Sequence, residues 1–245
     1  MKRFGLIGYP LSHSFSQKFF NEKFEREGIR DCVYDTFPIP GIGELPALLK
    51  AHPDLHGLNV TIPYKEKVLA YLDHLNDIVE KTGACNCISI SGGKLFGFNT
   101  DTIGFKVSLL AKLQSHHKKA LILGKGGAAR AVAYVLKNLG IDFLYVVRKE
   151  ARDADTILYK DIDKHIMLSH PLIINTTPLG TFPDTEAAPP VLFEYISADH
   201  YLYDLVYNPA KTLFLRSGQE RGATIQNGAD MLVIQAEESW KIWHQ

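Results

Sequence analysis

A lysine, an aspartate and a group of short hydroxyl side chains carry the chemistry this sequence offers. Lys65 closes the run Gly57-Leu58-Asn59-Val60-Thr61-Ile62-Pro63-Tyr64-Lys65. Residues 55–62 are β-branched or apolar with polar side chains on alternate positions, which reads as a strand. Pro63 has no N–H to give a ladder, so the strand is expected to stop there. Lys65 is then predicted on the first turn of a helix through Val68, Leu69 and Leu72. Open α/β sheets build their sites at strand carboxyl ends, so Asn59, Thr61 and Lys65 are expected to face one crevice. Taken alone, Lys65 is better read as a solvated helix lysine; the rest of the chain overturns that reading.

Asp101 ends the run Gly97-Phe98-Asn99-Thr100-Asp101, where a helix carrying Ile103, Phe105, Val107, Leu109, Leu110 and Leu113 begins. Standing alone it reads as a helix cap. A carboxylate is also what a catalytic lysine needs nearby, to hold its ammonium and tune its pKa. Ser12, His13, Ser14 and Ser16 precede a helix using Phe19, Phe20, Phe24 and Ile29. One serine there is a cap; three suit a carboxylate ligand at a strand end beside a helix N-terminus.

The second half opens on a buried strand, 119–123, running into Gly124-Lys125-Gly126-Gly127-Ala128-Ala129-Arg130 and a helix through Ala131, Val132, Val135 and Leu136. Glycines at such a turn let the backbone approach a pyrophosphate seated on the helix N-terminus. The G-x-G pattern is weak alone, but the strand before, the helix after and a second strand at 143–147 make it a dinucleotide fingerprint. That second strand ends in Val147-Arg148-Lys149 with no carboxylate before Glu150, so NADP is favoured over NAD. Arg148 by itself could be a surface arginine. Residues 151–156 are short and polar, so a loop is expected in place of a crossover helix. The strand 171–175 ends in Thr176-Thr177-Pro178-Leu179-Gly180, a polar run expected near the nicotinamide half.

These residues need a scaffold. Strands are predicted at 3–7, 32–37, 83–90, 94–99, 157–159, 201–206 and 224–226, and helices at 41–50, 164–169, 212–221 and 228–243. Residues 73–77 read as a loop before a short helical piece to Lys81, and Ser91-Gly92-Gly93-Lys94 as a hairpin turn. The length of 245 residues suits one large or two modest domains. Lys+Arg and Asp+Glu both number 27, which argues against a general nucleic-acid or membrane-surface binder. No apolar run approaches the about 20 residues that span a bilayer, and the first apolar run is too short for a signal peptide. Cys32, Cys85 and Cys87 have neither zinc nor redox spacing and are expected to be reduced packing residues of a cytoplasmic protein; no metal site is expected.

The chain resembles the shikimate dehydrogenase family from end to end. The resemblance rests on Gly8-x-Pro10-x-x-His13-Ser14-x-Ser16, Asn59-Val60-Thr61-x-Pro63-x-Lys65 and Gly97-x-Asn99-Thr100-Asp101-x-x-Gly104. It also rests on the loop 124–130, Asn175-x-Thr177-Pro178-x-Gly180, Tyr203-Asp204-x-x-Tyr207 and Met231-x-x-x-Gln235-Ala236. It implies an α/β fold: an N-terminal mixed-sheet substrate domain, 1–102 with 228–245, and a Rossmann-type NADP-binding domain, 103–227. The C-terminal helix would return to the first domain so that Gln235 reaches the substrate. The family reversibly reduces 3-dehydroshikimate to shikimate with NADPH, in the aromatic amino acid and chorismate route.

The resemblance implies Lys65 as proton donor and acceptor with Asp101 as its partner. Ser14 and Ser16 would hold the substrate carboxylate with Tyr207 nearby, and Thr61, Asn86, Asp101 and Gln235 would bond the ring hydroxyls. The cofactor set would be Gly124, Gly126, Gly127, Ala128, Arg148, Thr176, Val206, Gly228 and Met231. The partners would be small molecules, with no nucleic acid and no membrane, and the protein a monomer or homodimer. The chain departs from the family pattern at Gln17, Lys125, Val147 and Asp230, and Arg152 falls at the spacing of a second phosphate-binding arginine but after a shortened crossover. Two rival readings are a quinate- or NAD-preferring paralogue, and a dinucleotide-binding sensor without turnover; the presence of both Lys65 and Asp101 speaks against the sensor.

Overall fold

The computed structural model describes residues 1–11, 15–150 and 153–245. In chain order the first elements are β1 Lys2–Gly8, α1 Phe15–Glu27, β2 Cys32–Pro38, α2 Leu45–Ala51, β3 Leu55–Val60, β4 His74–Leu75, α3 Asp77–Thr82, β5 Cys87–Ser91 and β6 Lys94–Phe98. There follow α4 Asp101–Leu110, β7 Lys119–Leu123, α5 Gly127–Asn138, β8 Asp142–Val147, β9 Thr156–Leu158, α6 Lys164–Ser169, β10 Leu172–Asn175, β11 Tyr201–Asp204, α7 Leu213–Gln219, β12 Thr224–Gln226 and α8 Ala229–Trp243. The chain divides into two compact units, residues 1–103 with 232–245, and residues 104–231.

The first unit holds a mixed sheet of order β2-β1-β3-β5-β6-β4. β1 pairs in parallel with β2 and β3, while β5 runs antiparallel to β3 and β6. One face buries Ile7, Leu45, Leu58, Val60 and Val68; the other buries Phe4, Phe20, Phe24, Tyr34 and Trp243. Trp243 stacks on Phe4 at 4.8 Å and donates its indole N–H to Ile88 O at 2.9 Å. Gly57 makes that approach possible, because a Cβ there would stand 2.2 Å from Trp243 Nε1.

The second unit is a six-stranded sheet of order β12-β11-β10-β7-β8-β9, parallel throughout. Its central strands read as continuous apolar runs, as parallel strands covered on both faces do. Leu123 lies level with Val146 and with Asn175, and Asn175 with Asp204, so the carboxyl ends of β7, β8, β10 and β11 align. Gly124 follows at φ +108°, a conformation only glycine adopts readily, and a Cβ there would meet Thr176 Oγ1 at 2.8 Å.

Several predicted elements come out differently. β3 closes at Val60, two residues early; Thr61 gives its N–H to Ile7 O and Pro63 has none to give. Lys65 is not on an α-helix. It lies in a turn before a 3₁₀ helix, Lys67–Tyr71, because Asp73 N already bonds Leu95 O and leaves room for little more than one turn. The loop predicted at 73–77 contains β4, which adds to the edge of β6. The strand predicted over 83–90 begins only at Cys87. The three cysteines are free and buried, and burial pushes the Cys85 thiol up to about 12. Among the described residues no helix is long and apolar enough to cross a membrane.

Candidate active site

Lys65 and Asp101 meet. Lys65 Nζ lies 2.6 Å from Asp101 Oδ2, with the side chains 22% and 10% exposed. Lys65 is set by the turn after β3, where Tyr64 N bonds Thr61 O and Cys85 N bonds Lys65 O. Asp101 is the first residue of α4, where a carboxylate also complements the helix dipole. It does not act as the helix cap: Asn99 Oδ1 accepts from Thr102 N at 3.3 Å and takes that role. The Asp101 carboxylate is thereby left for Lys65 and for Asn86, whose Nδ2 donates to Oδ1 at 2.9 Å.

Asn86 is held in turn. Its Oδ1 accepts from Thr100 N at 2.7 Å, and its Nδ2 faces Thr100 Oγ1 at 3.0 Å and Gln235 Oε1 at 3.4 Å. The Thr100 N–H fixes which way the amide points. Gln235, on α8, donates to Leu232 O at 3.0 Å. Ser239 lies one turn further on; its Oγ is 3.2 Å from Thr100 Oγ1 and 2.9 Å from Asn59 Nδ2. Asn59 Oδ1 accepts from Tyr34 OH at 2.8 Å, and Tyr34 bonds the Ser16 side chain. The first unit thus brings Lys65, Asp101, Asn86 and Gln235 together and connects Ser16 to them through buried polar side chains.

The expectation for Asn59 needs correction. It is 3% exposed and spends its amide on Tyr34, Asn86 O and Ser239, so it supports the crevice instead of facing it. Thr61 is half-buried just beyond β3, with its methyl packed against Gly8. Ser14 and its neighbours Ser12 and His13 lie outside the described residues, as does Arg152. Ser239 and Tyr34 were not singled out from sequence, and Thr100 only as a member of the Gly97-x-Asn99-Thr100-Asp101 motif. Ser239 falls one helical turn from Gln235, the one signal that could have found it.

In the second unit Gly124, Gly126, Arg148 and Thr176 line one cavity of about 370 Å³, with Lys125 and Tyr159 also in its wall. Gly126 precedes the first turn of α5, which begins with Gly127 and Ala128, so backbone N–H groups of that turn are available to an anion. Val206, Gly228 and Met231 are not among the residues that line this cavity. Val206 is buried and Gly228 N donates to its carbonyl at 3.2 Å; Met231 is 7% exposed in the core of the unit. Tyr207 follows β11 and is 40% exposed. Asp204 fixes the neighbouring loops, accepting from Asn175 Nδ2 at 2.9 Å, Val206 N at 3.0 Å and Thr212 Oγ1 at 2.6 Å. Burial raises its carboxyl to about 6.

A wholly parallel sheet with a glycine turn into a helix, in a chain whose other unit carries a lysine–aspartate pair, defines a dinucleotide-dependent oxidoreductase. The model of the shikimate dehydrogenase substrate binding domain matches residues 6–88. The shikimate dehydrogenase (NADP(+)) of Caldicellulosiruptor saccharolyticus is 36% identical over 258 residues, covering 99% of this chain and 92% of its own length. The chain belongs to the shikimate dehydrogenase family. Among solved structures, the chorismate mutase/shikimate 5-dehydrogenase fusion protein of Clostridium acetobutylicum superposes with a TM-score of 0.88 at 36% identity, covering 99% of this chain and 91% of that one. The shikimate 5-dehydrogenase of Thermus thermophilus, solved with NADP(H) and shikimate, gives 0.87 at 32% identity, with 99% and 93% covered.

Proposed function

We propose that this protein catalyses the reversible reduction of 3-dehydroshikimate to shikimate with NADPH, in the cytoplasm and within aromatic amino acid and chorismate biosynthesis. The observation that carries the reading is the Lys65–Asp101 pair, held on its far oxygen by Asn86. Reduction of a ketone leaves an alkoxide that needs a proton and a fixed positive charge, and a lysine supplies both. Lys65 Nζ gives its proton to that oxygen in reduction and takes the hydroxyl proton in oxidation. Asp101 keeps the ammonium oriented. Ser14 and Ser16, with Tyr207, hold the substrate carboxylate, and Thr61, Asn86 and Gln235 bond the ring hydroxyls.

The cavity of the second unit suits NADP. Gly124 has a backbone that only glycine tolerates well, α5 begins at the turn, and Arg148 stands at the end of β8 with no carboxylate before Glu150. The dinucleotide, when bound, supplies the hydride. Gly124, Gly126, Gly127 and Ala128 would hold its pyrophosphate, Arg148 its 2′-phosphate, and Thr176, Val206, Gly228 and Met231 its nicotinamide half.

The test mixes protein, shikimate and NADP⁺ and follows reduced nicotinamide by absorbance, with quinate and NAD⁺ in parallel. Turnover confined to shikimate and NADP⁺ is expected. Preference for quinate or NAD⁺ would keep the chemistry and move the specificity; silence in every well from folded protein would sink the assignment.

A further inference from the structure

We infer that Tyr159 donates its hydroxyl to the 2′-phosphate of the bound dinucleotide, beside Arg148. The inference rests on the NADP reading above and deepens it. Among the described residues two buried side-chain polar atoms have no hydrogen-bond partner, the hydroxyls of Tyr159 and Tyr201. Tyr201 is wholly enclosed in the core of the second unit. Tyr159 stands instead in the wall of the cavity that Arg148, Gly124 and Thr176 also line. Buried polar groups are nearly always paired, so a lone phenol in the wall of a ligand cavity points to a donor kept for the ligand.

The fold sets the tyrosine next to the arginine. β8 and β9 run parallel with Val147 level with Leu158, so Arg148 and Tyr159 leave the two strands side by side at the carboxyl edge of the sheet. Tyr159 opens a 3₁₀ turn, Tyr159–Asp161, and its half-buried ring packs on the cluster that includes Val146 and Ile162. Burial pushes the phenol up to about 12, with the Arg148 charge pulling the other way. The hydroxyl therefore keeps its proton at neutral pH and can offer it to an anion.

NADP⁺ and NAD⁺ differ at the ribose 2′ position, where the phosphate carries close to two negative charges at neutral pH. Arg148 would meet that phosphate with a planar fork, which leaves phosphate oxygen for a second donor. In the free protein the Tyr159 hydroxyl is covered and unpaired, and a small turn of the ring toward the phosphate gives it the bond it lacks. NADP⁺ thus relieves a cost that the free fold carries, while NAD⁺ has only a ribose hydroxyl there and offers no charged acceptor. A tyrosine that merely walled the adenine with its ring would serve both dinucleotides alike.

Dissociation constants for NADP⁺ and NAD⁺ are measured by titration for wild type and Tyr159→Phe, together with the Tm of each free protein. Tyr159→Phe keeps the ring and is expected to weaken NADP⁺ about ten-fold while NAD⁺ stays within about two-fold. The Tm of the free variant should equal or exceed that of wild type, because the hydroxyl removed had no partner to lose. Equal weakening of both dinucleotides, or an unchanged ratio between them, would overturn the inference alone. So would a lower Tm, which would show the hydroxyl already paired in the free protein. Wild-type protein that fails to bind NADP⁺ would overturn the NADP reading itself, and this inference with it.

Discussion

Asn86 and Asp101 hold each other in one orientation: Asn86 Nδ2 donates to Asp101 Oδ1 at 2.9 Å while Asn86 Oδ1 is pinned by Thr100 N at 2.7 Å. The second aspartate oxygen lies 2.6 Å from Lys65 Nζ. A charge-assisted bond held at both ends and largely shielded from water is worth more than a surface ion pair, whose two long side chains must be ordered for little gain. The lysine is therefore positioned before any substrate arrives, which is the condition for efficient proton transfer.

Lys65→Ala is expected to lower kcat by about 10³-fold, the ordinary worth of a positioned acid–base group, while cofactor affinity stays near wild type. Lys65→Arg should lose most of kcat as well, because a guanidinium does not release its proton. Steady-state rates with a parallel cofactor titration check both. Wild-type turnover in Lys65→Ala would remove the residue from the chemistry.

Asn59→Ala should act on stability first. The change strips a partner from Tyr34 OH, Ser239 Oγ and Asn86 O, all buried. The cost is about 3 kcal/mol, or a Tm fall of roughly 6–12 °C for a chain of this size. Calorimetry would decide it, and an unmoved Tm would mean that these groups find other partners.

Gly57→Ala drives a Cβ to 2.2 Å from Trp243 Nε1, so the C-terminal part of α8 must shift from the sheet. A loss of about 3 kcal/mol is expected, with a change in tryptophan fluorescence. Gly41→Ala is the control: its nearest atom is Glu44 Oε1 at 3.9 Å, and its effect should stay within about 0.5 kcal/mol. Equal effects from the two substitutions would contradict the packing described.

Acidification from pH 7.5 to 5 should lower stability. His117, His170 and His200 are buried in the second unit, and burial holds each below the ordinary imidazole range. Below about pH 6.5 the unfolded chain therefore takes up protons that the fold resists, and stability falls. Asp204 has the opposite sign. Its folded value of about 6 exceeds the unfolded one, so the fold gains as pH drops through about 6. Three losses against one gain give a falling Tm; a flat or rising Tm in a calorimetric pH series would show that Asp204 dominates.

Much of the site was legible because its signals are local. Gly124 with its flanking strand and helix, Arg148 at a strand end and Lys65 after a proline-stopped strand are each read within a dozen residues. The misreadings share another cause. β4 has two residues and exists only because β6 offers it an edge. Lys65 left its predicted helix because Asp73 is claimed by Leu95, 22 positions on. Neither partner is visible in a local window.

Sequence alone determined the alternation of strands and helices, the glycine turn, the lack of a carboxylate after β8 and the residue types able to move a proton. These follow from backbone preference and side-chain chemistry, which each residue carries with it. Tertiary structure decided how the polar groups are shared. Asn59 turned inward because Ser239, 180 positions away, and Tyr34 supply its partners. Asp101 was released from capping because Asn99 took the Thr102 N–H, and Lys125 swung to Asp153. A polar side chain goes where its hydrogen bonds can be satisfied, and in a folded chain that place is set by residues far off in sequence.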